Sequence, residues 1–319
     1  VEEAHVRVLF WGTPEFSIPA LRALGEEGHD VVGVVTQPDR PAGRGRGVHM
    51  SPVKQDAIAE GIPVLQPEKA RGDEFMAQVR ALQPDVSVVV AYGQILKPEV
   101  LALPRLGSLN IHASLLPELR GAAPIQWAIL RGHEQSGVTI MRMEAGLDSG
   151  PMLLRVEEPI REDESSSELA ARLAEIGAEA LVETLAMLED GEVQEIPQDL
   201  ALATYAPKLN RETARIDWTR TAAEVALWMR GMDDVPGAWS TLGAKGPVKL
   251  FRPRVESSSG DAEPGTVIEA DAEAGVLVAT GEGAVRVREV QPPGKRRMGA
   301  GEWVRGRGVA AGERFGDAA

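Results

Sequence analysis

Cysteine is absent from the 319 residues. Its absence excludes disulfides, thiolate nucleophiles and every cysteine-ligated zinc or iron–sulfur site. Histidine is nearly as scarce, with His5, His29, His49, His112 and His133 making up the five. No two of them stand three or four residues apart, so a helical His-x-x-x-His metal site is ruled out. Proton chemistry near neutral pH therefore draws on a short set of side chains. No apolar run approaches the roughly 20 residues needed to cross a bilayer. The first residues, Val1-Glu2-Glu3-Ala4-His5, carry no basic region and no cleavage site, which leads to the expectation of a cytoplasmic protein. A dinucleotide fingerprint is missing too. After the first expected strand comes Gly12-Thr13-Pro14-Glu15-Phe16, with one of the three glycines that a pyrophosphate needs, so NAD is not expected.

What is present fits a globular chain of two domains: 319 residues, 43% of them hydrophobic. The net charge of −14 argues at first against a nucleic-acid partner. Its distribution alters that reading. Residues 156–200 hold 14 acidic side chains against 2 arginines, whereas residues 205–254 hold 9 basic against 5 acidic. The last 25 residues are basic as well, 6 against 3. A protein that repels polyanions with one face can bind them with another.

Short apolar runs alternate with helical patterns through the first half, the signature of a Rossmann-like, mostly parallel α/β sheet. Strands are expected at Val6–Trp11, Val31–Thr36, Val86–Ala91, Ser108–His112, Val138–Met143 and Met152–Val156. One helix starts at Ser51-Pro52, with Ser as N-cap and Pro in the first turn, and ends before Gly61. Another opens on Ser165, with Glu168 at capping-box spacing, and stops at Gly191. Its acidic face reads as a solvated surface. Residues 192–210 read as a loose connector. Beyond it, Gly265–Ala270, Val276–Thr280 and Ala284–Val290 form an antiparallel meander, hence a smaller OB-like β-barrel, with a flexible loop at Ser257–Gly260. The expected division is 1–191, a linker 192–210, and 211–319.

In an open parallel sheet, ligands bind outside the carboxyl ends of the strands. The second strand is followed there by Gln37–Gly47, rich in Pro and Gly and carrying Arg40, Arg44 and Arg46. A basic loop at that edge can reach a large anionic substrate; a surface loop with no role is an equally good reading of its composition. Tyr92-Gly93-Gln94-Ile95-Leu96 is a glycine-marked turn able to wall a flat ligand. The most informative stretch is Ser108–Gly121, SLNIHASLLPELRG. Side chains two apart on a strand share a face about 7 Å apart, so Asn110 and His112 project together. Asp148, within the Gly146–Gly150 turn after the next strand, is placed in the same crevice. Asn, His and Asp without a nucleophilic Ser or Cys suggest direct acyl transfer to an amine. Asn110 would hydrogen-bond the developing oxyanion, His112 would take the amine proton, and Asp148 would orient the imidazole.

The stretch from Asn110 to Gly121 resembles the signature of enzymes that use 10-formyltetrahydrofolate. The resemblance implies catalytic roles for Asn110, His112 and Asp148, and folate contacts at Ser114, Leu115, Leu116 and Pro117. Gly12–Phe16, the Thr36–Gly47 loop, Arg120–Trp127, Thr204–Leu209, Ala214–Trp218 and Pro293–Met298 are similar to the methionyl-tRNA formyltransferase family in particular. The resemblance covers nearly the whole chain. It implies a folate co-substrate, no metal, an initiator methionyl-tRNA partner, and a second domain that helps hold tRNA. Arg40, Arg44, Arg46, Lys208, Lys295, Arg296 and Arg297 would contact the tRNA, with Arg44 at the key position of the loop. A monomer is expected. The alternatives are a formyltransferase for a sugar nucleotide or other small amine, a formyltetrahydrofolate hydrolase, and a tRNA-binding protein without catalysis.

Overall fold

The computed structural model describes residues 6–42, 47–257 and 261–316. Arg44, Arg46 and most of the Ser257–Gly260 loop lie outside the described residues. The chain forms two compact units. One holds residues up to Gly121 with Ser136–Glu158 and Ala170–Tyr205; the other holds Ala122–Gln135, Pro159–Leu169 and the chain from Ala206 onward.

The first unit is built on β1 (Arg7–Gly12), β2 (Asp30–Val35), the hairpin strands β3 (Arg40–Ala42) and β4 (Gly47–His49), β5 (Val64–Leu65), β6 (Val86–Val90) and β7 (Ser108–His112). The short β8 (Arg120–Gly121), β9 (Gln135–Arg142) and β10 (Met152–Pro159) follow. Seven of these make one sheet in the order β10-β9-β7-β6-β1-β2-β5. Strands β1, β2, β5, β6 and β7 run parallel. Their apolar runs are buried throughout, Val8–Trp11 and Val86–Val90 among them, as a sheet covered on both faces requires. The chain fills one side of β1 first and then crosses to β6, so the order reverses between β1 and β6. That reversal opens the crevice where such sheets bind ligands.

Helices α1 (Ile18–Glu26), α2 (Pro52–Ala59), α3 (Asp73–Leu82) and α4 (Pro98–Leu101) link the parallel strands. Ser51 caps α2 as the sequence implies, its Oγ accepting the Lys54 N–H at 3.1 Å. Residues Pro124–Leu130, in the second unit, form α5, and Ser166–Glu189 form the long α6. Leu169, Leu173, Leu181 and Leu185 of α6 are fully buried, while Glu175, Glu179 and Glu183 face solvent, so its acidic charge is a solvated face. At Gly177 a Cβ would stand 2.8 Å from the Ile111 side chain. The missing side chain lets α6 lie close against the Ile111 face of β7, which leaves Asn110 and His112 on the other face.

The strand after β7 departs from the parallel sense of its neighbours in this mostly parallel sheet. Strand β9 runs antiparallel to it, with His112 opposite Thr139 and Leu109 opposite Arg142. The Thr139 hydroxyl holds this register, donating to the Ser114 carbonyl at 2.7 Å and accepting the Leu116 N–H at 3.1 Å. Residues 192–210 are likewise no loose connector. Ile196 bridges Met152, and Asp199 caps a short 3-10 turn at Leu200–Leu202. Strand β11 (Tyr205–Ala206) then pairs with β8.

The second unit packs α5 and α7 (Ala222–Gly231) with an antiparallel sheet. Its strands are β12 (Trp239–Thr241), β13 (Pro247–Glu256), β14 (Val267–Asp271), β15 (Gly275–Ala279), β16 (Ala284–Gln291) and β17 (Met298–Gly299). The order is β12-β13-β16-β15-β14, with β17 on β16. Both edges are covered by the tail, because Phe315 and Gly316 bridge Leu242 while Arg314 bridges Thr266. The Phe315 N–H donates to Gly265 and the Gly316 N–H to Thr241, so the sheet is joined into a barrel-like ring with no free edge at those positions. Its core includes Trp218, Val248, Leu250, Val278, Val287 and Phe315. The helix α8 (Ala300–Arg305) completes the unit.

Candidate active site

The carboxyl ends of β1, β2 and β6 are tied by polar side chains. Ser17 Oγ donates to the Val90 carbonyl at 2.7 Å, and Thr13 Oγ1 and Gln37 Nε2 both donate to the Tyr92 carbonyl, at 3.1 and 3.0 Å. Gly12 is required here, since a Cβ would stand 2.8 Å from Ser17 Cβ. Of the glycine-marked turn, Tyr92 and Leu96 are buried, and Tyr92 lies edge-on to Trp11 with ring centroids 5.3 Å apart. Burial pushes the Tyr92 phenol up to about 12. The exposed apolar group of the turn is Ile95, 91% accessible.

Next to β6, β7 presents Asn110 and His112. Asn110 is half-buried, and among the described residues nothing hydrogen-bonds its side-chain amide. Its donors are therefore available to a ligand. His112 is 5% exposed, and its Nε2 lies 3.0 Å from the Leu119 carbonyl oxygen. A carbonyl only accepts, so Nε2 carries the proton in that bond and Nδ1 is the basic nitrogen. Nδ1 faces Asp148 Oδ2 at 3.8 Å. That oxygen in turn accepts the Gly121 N–H at 2.8 Å.

Asp148 arrives by a different route from the one its sequence position implies. Because β9 is antiparallel, its end lies beside the start of β7, and the Met143–Pro151 turn must double back to reach His112. Asp148 holds a left-handed φ of 46°, a conformation that Asp and Asn tolerate better than most residues. The backbone of the turn is held by Gln198, whose Nε2 donates to the carbonyls of Asp148 and Gly150, each at 2.8 Å. Gln198 gave no signal in the sequence, lying in what reads as a polar connector.

The four residues of the Ser-Leu-Leu-Pro segment behave unequally. Ser114 Oγ donates to the Glu118 carbonyl at 2.7 Å, and Leu116 and Pro117 are buried. Leu115 alone is half-buried. Any ligand at this segment meets mainly its backbone and Leu115.

The basic residues are scattered in their circumstances. Arg40 is exposed at the base of the β3–β4 hairpin, opposite His49, and this stem replaces the featureless loop expected from composition. Asp39, just before it, is anchored by Lys54 Nζ at 2.5 Å and Gln66 Nε2 at 2.8 Å. Lys208 and Lys295 are exposed, as is Arg296. Arg297 is otherwise engaged. Its guanidinium reaches Asp233 Oδ1 at 2.7 Å and Glu289 Oε2 at 2.6 Å, and stacks 3.9 Å over the Phe251 ring. Among the described residues no cluster of three His, Asp or Glu is placed to hold a metal ion.

An unpartnered amide, a basic imidazole nitrogen and a carboxylate at one edge of a parallel sheet can serve proton transfer and oxyanion stabilisation together. Residues 4–185 match the formyl transferase family, and residues 208–308 match the formyl transferase C-terminal domain. The methionyl-tRNA formyltransferase of Symbiobacterium thermophilum is 49% identical over 311 residues, 97% of this chain and 95% of that protein. The methionyl-tRNA formyltransferase of Bacillus subtilis is 46% identical over 311 residues, 97% of this chain and 98% of that one. Among solved structures, HypX of Aquifex aeolicus in complex with tetrahydrofolic acid superposes with a TM-score of 0.67 at 22% identity. The match covers 94% of this chain and 47% of that longer one, a likeness of fold alone. With both family matches in chain order and relatives aligned from end to end, the chain belongs to the methionyl-tRNA formyltransferase family of formyl transferases.

Proposed function

We propose that this protein transfers the formyl group of 10-formyltetrahydrofolate to the free amino group of initiator methionyl-tRNA, giving N-formylmethionyl-tRNA for translation initiation. The observation that carries the reading is the end-to-end identity of 49% with a methionyl-tRNA formyltransferase, joined to an Asn–His–Asp constellation at the sheet's carboxyl edge. The protein acts in the cytoplasm and as a monomer. Catalysis belongs to the first unit, most of residues 1–191 together with 192–205, and tRNA binding to the second, which includes 211–319.

In the reaction the amine nitrogen bonds to the formyl carbon, the bond from that carbon to the folate nitrogen breaks, and the folate nitrogen gains a proton. His112 Nδ1 takes the proton that the attacking amine must lose, a contribution of about 10²–10⁴ in rate. The Asp148 carboxylate, facing Nδ1, stabilises the imidazolium so formed through its charge. Asn110 donates its side-chain N–H to the developing oxyanion, a contact worth about 3–4 kcal/mol. Among the described residues its side-chain amide has no partner, which leaves it ready for that role. The folate lies along the crevice beside Ser114–Pro117, against backbone groups and Leu115.

Arg40, Arg44 and Arg46 carry the positive charge of the Gln37–Gly47 segment to the tRNA, with Arg44 foremost, and Lys208, Lys295 and Arg296 meet phosphates from the second domain. The ion pairs of Arg297 favour a supporting part for it, holding Lys295 and Arg296 in place.

A single incubation with 10-formyltetrahydrofolate and charged initiator tRNA tests the reading. Formyl-methionine forming in step with tRNA supports it. Formate released equally with and without tRNA, with no formyl-methionine, would make the protein a hydrolase.

A further inference from the structure

We infer that Gln198 is a positioning residue for formyl transfer, fixing where the Asp148 carboxylate stands relative to His112 by clamping the backbone on both sides of it. The inference rests on the proposed roles of His112 and Asp148. Gln198 lies beyond the 4–185 family match and is 9% exposed. Its amide is used in full. Nε2 donates to the Asp148 and Gly150 carbonyls at 2.8 Å each, and Oε1 accepts Arg120 Nε at 3.1 Å and Nη2 at 2.7 Å. A guanidinium only donates, so buried Arg120 dictates which end of the amide faces it and points the other end at the turn.

Arg120 is itself placed to couple the two catalytic partners. On one side of it, Leu119 offers the carbonyl that meets His112 Nε2; on the other, Gly121 offers the N–H that holds Asp148 Oδ2. The same stretch of chain that supplies Gln198 also secures this tripeptide. Thr204 Oγ1 accepts the Leu119 N–H at 2.9 Å, and the Thr204 carbonyl accepts the Arg120 N–H at 2.9 Å. Anchors for imidazole and carboxylate are thus adjacent in sequence and locked from one connector. Asp148 sits at a φ of 46°, away from the preferred regions, so a turn freed from Gln198 has somewhere to relax. A displacement of about 1 Å at such a site costs on the order of 10²-fold in rate.

The test is a double-mutant cycle between Q198M and D148N, followed by single-turnover formylation of charged initiator tRNA at saturating substrates so that slow variants remain measurable. Methionine keeps the length of the side chain and loses all four hydrogen bonds. The expected result is a loss of about 10–100-fold for Q198M with the KM of both substrates within about threefold, and no further loss when Q198M is added to D148N. Equal fold losses in both backgrounds would overturn the inference, since a merely structural residue slows both alike. A full rate for Q198M beside a slow D148N would also overturn it, while leaving the catalytic roles standing. A full rate for D148N itself would remove the reading of the site on which the inference rests. If Q198M shows no cooperative thermal transition, Q198E takes its place: it keeps the contact to Arg120 and sets oxygens against the two carbonyls, and the same cycle decides.

Discussion

Asp148 Oδ2 stands 3.8 Å from His112 Nδ1, and the same oxygen accepts the Gly121 N–H at 2.8 Å. The carboxylate is therefore fixed by the backbone and acts on the imidazole chiefly through its charge. Asn at this position can still accept from Gly121 while carrying no charge. D148N should fold normally and lose about 10²–10⁴ in kcat, with the KM for folate little changed. Steady-state kinetics with a thermal melt as control check this; a rate within a fewfold of wild type would remove Asp148 from the mechanism.

The Asn110 side-chain amide makes no hydrogen bond among the described residues, so nothing in the described fold depends on it. N110A should cost about 10²–10³ in kcat while leaving the Tm within a degree or two. A melting point several degrees lower would make Asn110 a structural residue instead.

Neighbouring arginines should behave oppositely. The Asp233 side chain paired with Arg297 is 3% exposed, and R297A would leave that carboxylate buried without its partner. A loss of about 1–3 kcal/mol in denaturant unfolding is expected. Arg296 is 78% exposed, 3.5 Å from Glu302. R296A should leave stability unchanged and lower the salt dependence of tRNA binding by about one counterion. A loss of stability for R296A, or none for R297A, would reverse the assignment.

Glu168 carries a pH prediction. Burial raises its carboxyl, but hydrogen bonds from the Ser165 N–H, the Arg252 guanidinium and the Ser165 hydroxyl outweigh that and bring it down from 4.5 to about 2. A depressed carboxylate contributes stability that is fully present above about pH 4.5 and is lost as pH falls toward 2. Both partners are 42% exposed, so screening limits the contribution to about 1 kcal/mol or less. Urea unfolding of wild type and E168Q should differ most at pH 6 and converge as the pH falls to about 2. A constant difference across that range would show that the ion pair and cap carry no such contribution.

Much of this molecule was legible in its sequence because the signals were local. The buried strands β1, β6 and β7, the Ser51 and Ser165 caps, and the shared face of Asn110 and His112 follow from periodicity and capping chemistry. What escaped depended on distant partners. The antiparallel register of β9 is held by Thr139 bonding to residues 114 and 116, a contact that no window along the chain reveals. Strand β13 went unseen because Pro253 and alternating charges disguise it. Proline is tolerated there because β12 reaches only Pro247–Lys249, leaving β13 an edge at Pro253 on that side. Arg252, at a φ of 54°, breaks the alternation as well and turns toward Glu168. In the site, the sequence places Asp148 beside His112 but carries no signal for Gln198. A buried glutamine that binds two carbonyls and an arginine looks in sequence like any polar loop residue.

The most direct test of the account is the single-turnover rate of H112A at saturating 10-formyltetrahydrofolate and charged initiator tRNA. The account predicts a fall of at least about 10²-fold with tRNA binding unchanged, because His112 Nδ1 is the nitrogen assigned to take the amine proton. Near-normal turnover by H112A would contradict it.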